Sequence, residues 1–592
     1  MLHNIRQWVE LLRKEGELLE IGVPVDPYLE LAEIHRRVIA EEGPALLFTN
    51  VIGSSFPVLT NMFGTKRRVE LAFGPRPEAL VKRTVAAMDK LMPPTLSSIW
   101  GERRLLLDLW KVGTKSVPGS SAPILQGGLL EDAPLSKLPV ITSWQEDGGP
   151  FVTLPLVYTE HPEKHEHNLG MYRMHVYDGQ TTGMHWQIHK GGGFHHHAAE
   201  TVGRKLPVTV FLGGPPALIA SAIAPVPEHV PELLLTSLIL GDRLPLVDSP
   251  NGGHRLIAEA EFAIQGDVPP HVRRIEGPFG DHYGYYSLAH EFPVFNVKRV
   301  YHRPNAIYPA TVVGKPKQED YYLGDFLQSL LSPLFPMAMP GVKDLWTYAE
   351  TGFHPLAAAV VRESYSREAL GTAFRILGEG QLTLTKMLLV TDRPVRLENF
   401  SELLTTVLER FDPKTDLYIF NKTSHDTLDY TGDRLNHGSK AVMIGVGEPI
   451  RELKREYAGG ALPGVSGVAV YSPGCLLVEA PDYEQAPDFA ESLLREARER
   501  LEDWPLVVLV DSAAAASRDQ TGFLWTVFTR FNPASDMYAD AQVDRHHLSY
   551  RFPIVIDARM KPGYPDELFP REDIVNKVDE RWNEYVPGGI RL

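Results

Sequence analysis

Three short stretches concentrate the residues that could do chemistry. The first, "NLGMYRMHVYDGQTTGMHWQIHKGGGFHHH", runs from Asn168 to His197 and sets a carboxamide, a guanidinium and several imidazoles beside three consecutive glycines. Such a set could bind a metal, cradle a phosphate, or form only a polar hairpin followed by a histidine-rich turn. The second, "RRIEGPFGDHYGYY" (273–286), holds Glu276 and Asp281 five residues apart around a Gly-Pro-Phe-Gly turn. Two carboxylates on a stiff turn can do acid–base work when burial separates their pKa values, and they can equally cap the turn. A third stretch, "APVPEHVPELL" (224–234), is a proline-stiffened approach to a helix, where Glu228 and Glu232 read as first-turn acids.

The elements that must position these groups follow from periodicity. In "MYRMHVY" alternate residues face opposite ways, so Arg173, His175 and Tyr177 share one side with Met171. "MHWQIHK" places His185, Gln187 and His189 opposite Met184, Trp186 and Ile188. Joined through "DGQTTG", the two read as a hairpin. With Asp178-Gly179 as a tight turn, Asn168 faces His189. Around them "PFVTLPLVYT", "LPVTVFLGG" and "FPVFNVKRVYH" predict short antiparallel strands, a barrel or sandwich.

The rest of the chain predicts an α/β protein in several domains, since 592 residues exceed what one core accommodates. We expect an N-terminal α/β domain over 1–115, a linker "KSVPGSSAPILQGG" (115–128), the antiparallel domain over 128–320, and a C-terminal α/β domain over 321–454. "VLERFDPKTDLY" (407–418) and "VFTRFNPASDMY" (527–538) agree at six of twelve positions, so 455–592 should hold a second copy of the α/β unit and a final helix.

Net charge of −16 argues against nucleic acid as a partner. The single cysteine, Cys475, excludes an intrachain disulfide. The first residues lack signal-peptide character, and Ile5, Trp8, Val9 and Leu12 fall at helical spacing. With no apolar run of about twenty residues, a cytoplasmic protein without a membrane span is expected. No HExxH, Walker, GxGxxG or GxSxG pattern supports a zinc hydrolase, P-loop, dinucleotide or serine-hydrolase reading.

Taken in order, "NLGMYRMHV", "HKGG", "PVPEHVPE", "EGPFGDHYGYY", "FPVFNVKRVYHRPNAIYPATVVGKP" and "DRLNHGSK" resemble the UbiD family of prenylated-FMN-dependent decarboxylases. The resemblance implies a split β-barrel flavin domain between α/β domains. It implies a divalent metal, Mn²⁺ or Mg²⁺, on Asn168, His189 and Glu232, an oxygen-rich set suited to such ions. It also places prenylated FMN against Gly170, Met171, Arg173, Ser221 and Lys440, with K⁺ near the backbone from Ser221 to Ala224. Arg173, Glu276 and Asp281 correspond to the family's catalytic network. By resemblance, Arg173 orients the substrate carboxylate and Glu276 delivers the proton that replaces CO₂.

Decarboxylation at an sp² carbon needs an electron sink that no side chain offers, so a cofactor is required. The expected substrate is an aromatic or α,β-unsaturated acid, and chain length resembles members assigned to menaquinone synthesis. A flavin prenyltransferase would supply the cofactor, and a homo-oligomer (dimer or hexamer) is expected. Polyprenyl-hydroxybenzoate decarboxylation for ubiquinone is the alternative. A non-catalytic flavin-binding or assembly subunit is the alternative of another class.

Overall fold

The structure, a computed structural model, describes residues 1–91, 95–187, 190–226 and 230–589. His189 and Glu228 lie outside them. The chain divides into two compact units, Met1–Leu331 with Asp566–Leu592, and Ser332–Pro565.

The first unit begins as its periodicity predicts. Asn4 caps the Ile5–Glu15 helix by accepting from the Gln7 amide, Gly16 ends it in the left-handed region, and Ile5, Trp8, Val9 and Leu12 are buried. A small sheet of Leu18–Ile21, Ala45–Phe48, Val58–Thr60 and Tyr308–Pro309 follows. The stretch expected to be a linker is built into this unit. Thr114–Ser116 pairs with Leu244–Val247, and Gly128–Leu130 pairs with the long strand His290–His302.

An eight-stranded sheet carries the site. Its path runs Thr181–Gly183, His290–His302, Phe262–Val268, Leu206–Leu212, Leu156–Glu160, His167–Met171, with every pairing antiparallel. Arg273–Glu276 also pairs with His290–His302. Among the described residues no pairing joins the two ends of the path, so the sheet stays open. Val157, Val208, Val210, Phe262, Ile264 and Phe295 on its inner face join one core with the N-terminal sheet.

The last helix, Glu572–Tyr585, belongs to this unit and packs on Glu30–Ala40. Glu30 is fully buried and accepts from Lys577 (2.9 Å), Arg581 (2.6 Å), the Tyr585 hydroxyl (2.5 Å) and the Asp26 amide (2.8 Å). A carboxylate removed from water needs that many donors to be tolerated.

The second unit contains the repeat. Val342–Thr347, Leu356–Val361, Met387–Thr391, His437–Gly445 and Leu417–Ser424 form one sheet in that order; Gly467–Ser472, Cys475–Glu479, Leu506–Val510, His547–Asp557 and Met537–Asp544 form another with the same connectivity. The repeated motif has a structural cause. Asp416 accepts from the Asp412 amide (2.9 Å), and Asp536 accepts from the Asn532 amide (2.6 Å), each closing the turn from helix into edge strand. The two sheets share one apolar core, in which Phe400 and Leu404 of one copy meet Phe523 and Phe528 of the other. Among the described residues no helix is long and apolar enough to cross a membrane.

Glu30→Ala should cost about 1–3 kcal/mol, because it leaves the buried Tyr585 hydroxyl without its acceptor while Lys577 and Arg581 keep access to water. Chemical denaturation reads the loss, and limited proteolysis should cut first next to the Glu572–Tyr585 helix.

Candidate active site

Arg173 leaves the sheet just beyond the strand His167–Met171 and turns its guanidinium into the protein. Its Nε donates to Glu276 Oε1 (2.8 Å) and one terminal nitrogen donates to Glu276 Oε2 (3.1 Å). That same nitrogen reaches the Ser287 hydroxyl (2.8 Å), while the other pairs with Asp281. The plane of the guanidinium lies over Phe279 at 4.6 Å. One cation therefore serves two carboxylates, and the geometry is the two-pronged one that only arginine supplies.

Burial opposes ionisation of both acids, and the positive charge outweighs it. The Glu276 carboxyl, fully buried, is held well below the usual range by Arg173 and by His185. Asp281 is held near 2 against its burial by Arg173 and His282. The sequence alone leaves open whether one of the two must share a proton. With Arg173 between them, both rest ionised.

His185 has a role that its sequence position does not announce. Its Nδ1 lies 3.1 Å from Glu276 Oε2, and its Nε2 lies 3.1 Å from the Gln187 amide nitrogen. Those partners assign the proton to Nδ1, which donates to the carboxylate. The hairpin predicted from "MHWQIHK" is corrected accordingly. The strand ends at Gly183, a single bridge joins Val176 to Thr182, and Met184–Gln187 has no strand structure. The Met184 amide bonds to Pro293 and the His185 amide to Arg173, so His185, Met184 and Trp186 are all buried. Alternation fails because both sides of this segment are covered.

Asp147 is a second residue that sequence reasoning misses. Its half-buried carboxylate accepts from the amides of Ser143 (3.0 Å), Trp144 (2.9 Å) and Gly280 (2.8 Å). The Gly148 amide adds a bond to Pro278 (2.8 Å). Together these bonds fix the turn between Glu276 and Asp281. Burial pushes the Asp147 carboxyl up to about 7, against the pull of its three amide donors and Arg173. A side chain at Gly280 would strike Trp144, since a Cβ there would sit 2.1 Å from the indole.

The expected metal and flavin residues fall in three places. Asn168, on the strand His167–Met171, donates to the Tyr172 hydroxyl (3.2 Å). Glu232 opens the Glu232–Leu240 helix and accepts from the Leu169 amide (3.0 Å), next to Asn168 in the chain. Burial raises the Glu232 carboxyl, and no cationic side chain forms an ion pair with it among the described residues. Gly170 and Met171 lie on the same strand. Ser221 is buried in Pro216–Ile223 with its hydroxyl on Ala217 O (2.7 Å). Lys440 belongs to the other unit, on His437–Gly445, where it donates to Thr385 O (2.8 Å) and burial lowers it to about 8.

The residues present fit a metal-held phosphate group. Glu232 reaches the backbone amide next to Asn168 in the chain, and its carboxylate, without an ion-pair partner among the described residues, suits a cation. The glycines that begin the Gly191–Thr201 helix let its backbone close onto these side chains: a Cβ at Gly191 would lie 2.1 Å from Asn168 Oδ1, and one at Gly192 would lie 2.5 Å from Trp186 Nε1. That indole N–H is buried without a partner among the described residues, as a donor awaiting an acceptor would be.

Two outcomes are expected. Asp147→Asn should speed hydrogen exchange of the Gly280 amide and cut turnover about tenfold, since an amide cannot accept from all three donors. Acidification tests the ion cluster: depressed carboxyls contribute stability above their unfolded pKa of about 4 and lose it as pH falls toward 2. The melting temperature of Asp281→Asn should therefore fall less steeply between pH 4 and 2 than that of the wild type.

Comparison with known proteins identifies the family and the fold. Family models described as the N-terminal, Rift-related and C-terminal domains of 3-octaprenyl-4-hydroxybenzoate carboxy-lyase match residues 9–88, 115–316 and 321–445. A Chlamydia pneumoniae protein described as a subunit of 4-hydroxybenzoate decarboxylase is 49% identical over 98% of both chains. The closed form of vanillic acid decarboxylase from Sedimentibacter hydroxybenzoicus superposes with a TM-score of 0.68 at 22% identity, covering 84% of this chain and 99% of that one. HmfF from Pelotomaculum thermopropionicum, in an evolved dimeric form in complex with prFMN, gives 0.62 at 22% identity, covering 77% and 98%. The matched domains take up most of the chain, and the protein belongs to the UbiD family of carboxy-lyases.

Proposed function

We propose that this enzyme is a non-oxidative, reversible decarboxylase of an aromatic or α,β-unsaturated acid that uses prenylated FMN held through a divalent metal. The observation that carries the reading is the buried Arg173 fork on Glu276 and Asp281. A flavin-binding or assembly subunit would have no use for that proton relay. The relative named for 4-hydroxybenzoate supports an aromatic acid.

Asn168, Glu232 and His189 would hold Mn²⁺ or Mg²⁺ against the cofactor phosphate. Prenylated FMN, when bound, supplies the electron sink that the departing carboxylate requires. The protein's own residues do the rest. An incoming substrate carboxylate competes with Glu276 for Arg173, and the weakened clamp lifts the Glu276 carboxyl so that it takes up one proton from solvent. As the carbon–carbon bond breaks and CO₂ leaves, Glu276 gives its proton to the carbon that held the carboxyl group. Asp281, braced by Ser287 through Arg173 and by the His282 ring (2.6 Å), keeps the guanidinium in place during that exchange. K⁺ near Ser221–Ala224 and a supplying prenyltransferase belong to the same reading.

Among aromatic acids, naphthoate intermediates of menaquinone synthesis suit the long form of the chain. The second reading is a polyprenyl-hydroxybenzoate of ubiquinone synthesis, favoured by the description of the matching domains.

The experiment is co-expression of the full chain with a flavin prenyltransferase, mass spectrometry of the released cofactor, and CO₂ release from a panel of acids. Glu276→Gln should keep the cofactor and lose about 10²–10⁴-fold in rate. His189→Ala should lower metal and flavin content together. Undiminished activity of Glu276→Gln would remove its role as proton donor.

A further inference from the structure

The Leu96–Gly101 and Arg103–Trp110 helices run on through Glu102 and show two apolar sides. One is ordinary: Leu105 and Leu109 pack inward on Leu80, Leu91 and Leu238. The other faces solvent. Leu96 is 88% exposed, Trp100 71%, Leu107 59% and Trp110 73%, and with Arg103 they recur every three or four residues as one helical stripe. A ridge of fifteen residues is about 22 Å long.

Charge distinguishes what could cover it. Residues 76–111 carry seven Lys or Arg against four Asp or Glu, an excess of positive charge in a chain of net −16. Arg103 lies within the stripe with its guanidinium over Trp100 at 5.2 Å, and Arg243 lies over Trp110 at 5.3 Å. Arg104 and Lys111 are exposed beside them. Protein–protein contacts share tryptophan and arginine with membrane-binding faces but are depleted of lysine, and the basic surplus here includes Lys82 and Lys111. Tryptophan and leucine interleaved with cations are instead what an anionic lipid surface selects, rings at the headgroup level and guanidinium groups on phosphate.

We propose that this ridge is an interfacial anchor by which the enzyme docks reversibly on an anionic membrane surface. The anchor lies in the first unit and needs nothing from the active site.

Flotation of the full chain with vesicles tests it. Vesicles containing phosphatidylglycerol should carry the wild type, with binding at least tenfold weaker to pure phosphatidylcholine and falling steeply between about 0.1 and 0.5 M salt. Trp100→Glu with Trp110→Glu should abolish flotation while melting temperature stays unchanged, and Leu107→Asp should weaken it at least tenfold. Equal binding to both vesicle types, or flotation that survives the double variant, overturns the proposal. So does a wild type that ignores vesicles, including one whose light-scattering mass falls to a monomer's in the double variant, which would assign the ridge to a second copy.

Discussion

A single guanidinium, buried between two carboxylates, sets the terms for everything around it. Arg173 could not be removed from water without Glu276 and Asp281, and neither acid could stay charged there without Arg173. The surrounding structure is arranged to keep the three in register. The strand Arg273–Glu276 brings one acid by pairing with His290–His302, and Asp147 grips the turn that presents the other. His185 and Ser287 fill the remaining hydrogen-bonding positions. A cluster satisfied on so many sides resists small displacements, yet it responds to another anion, because an incoming carboxylate rivals groups already bound to the same cation.

Much of this is legible in the sequence where local rules apply. The N-terminal helix follows from apolar spacing, and the repeat at 407 and 527 is visible because an aspartate closes the same turn in both copies. Arg173, Glu276 and Asp281 come together as the family resemblance implies. What escapes depends on long-range partners. His185 looks like one face of a strand, but Met184 bonds to Pro293 rather than to a hairpin neighbour, and the segment turns inward. Asp147 stands in a plain "QEDGG" turn, and the Gly280 amide it holds lies more than a hundred residues away. The expected facing of Asn168 and His189 lies outside the described residues, and Glu232 reaches the Leu169 amide, one position along the chain from Asn168.

The acidic composition of the chain and an anionic cofactor are reconciled locally. Glu232, with no lysine or arginine paired to it among the described residues, is where a cation is the missing partner, and the nearby Trp186 indole N–H is where an acceptor is. Attraction for phosphate then need not come from the protein's overall charge, which would repel it.

The shared core of the two five-stranded sheets has a different consequence. Folds that associate as separate chains come apart on dilution, because their pairing is governed by mass action. Here the two partners are covalently joined, so their association is indifferent to cellular abundance. Tethered partners are also free to diverge: only the first copy carries the "HGSK" lysine, and a lesion in the other cannot be rescued by exchanging it for an intact neighbour.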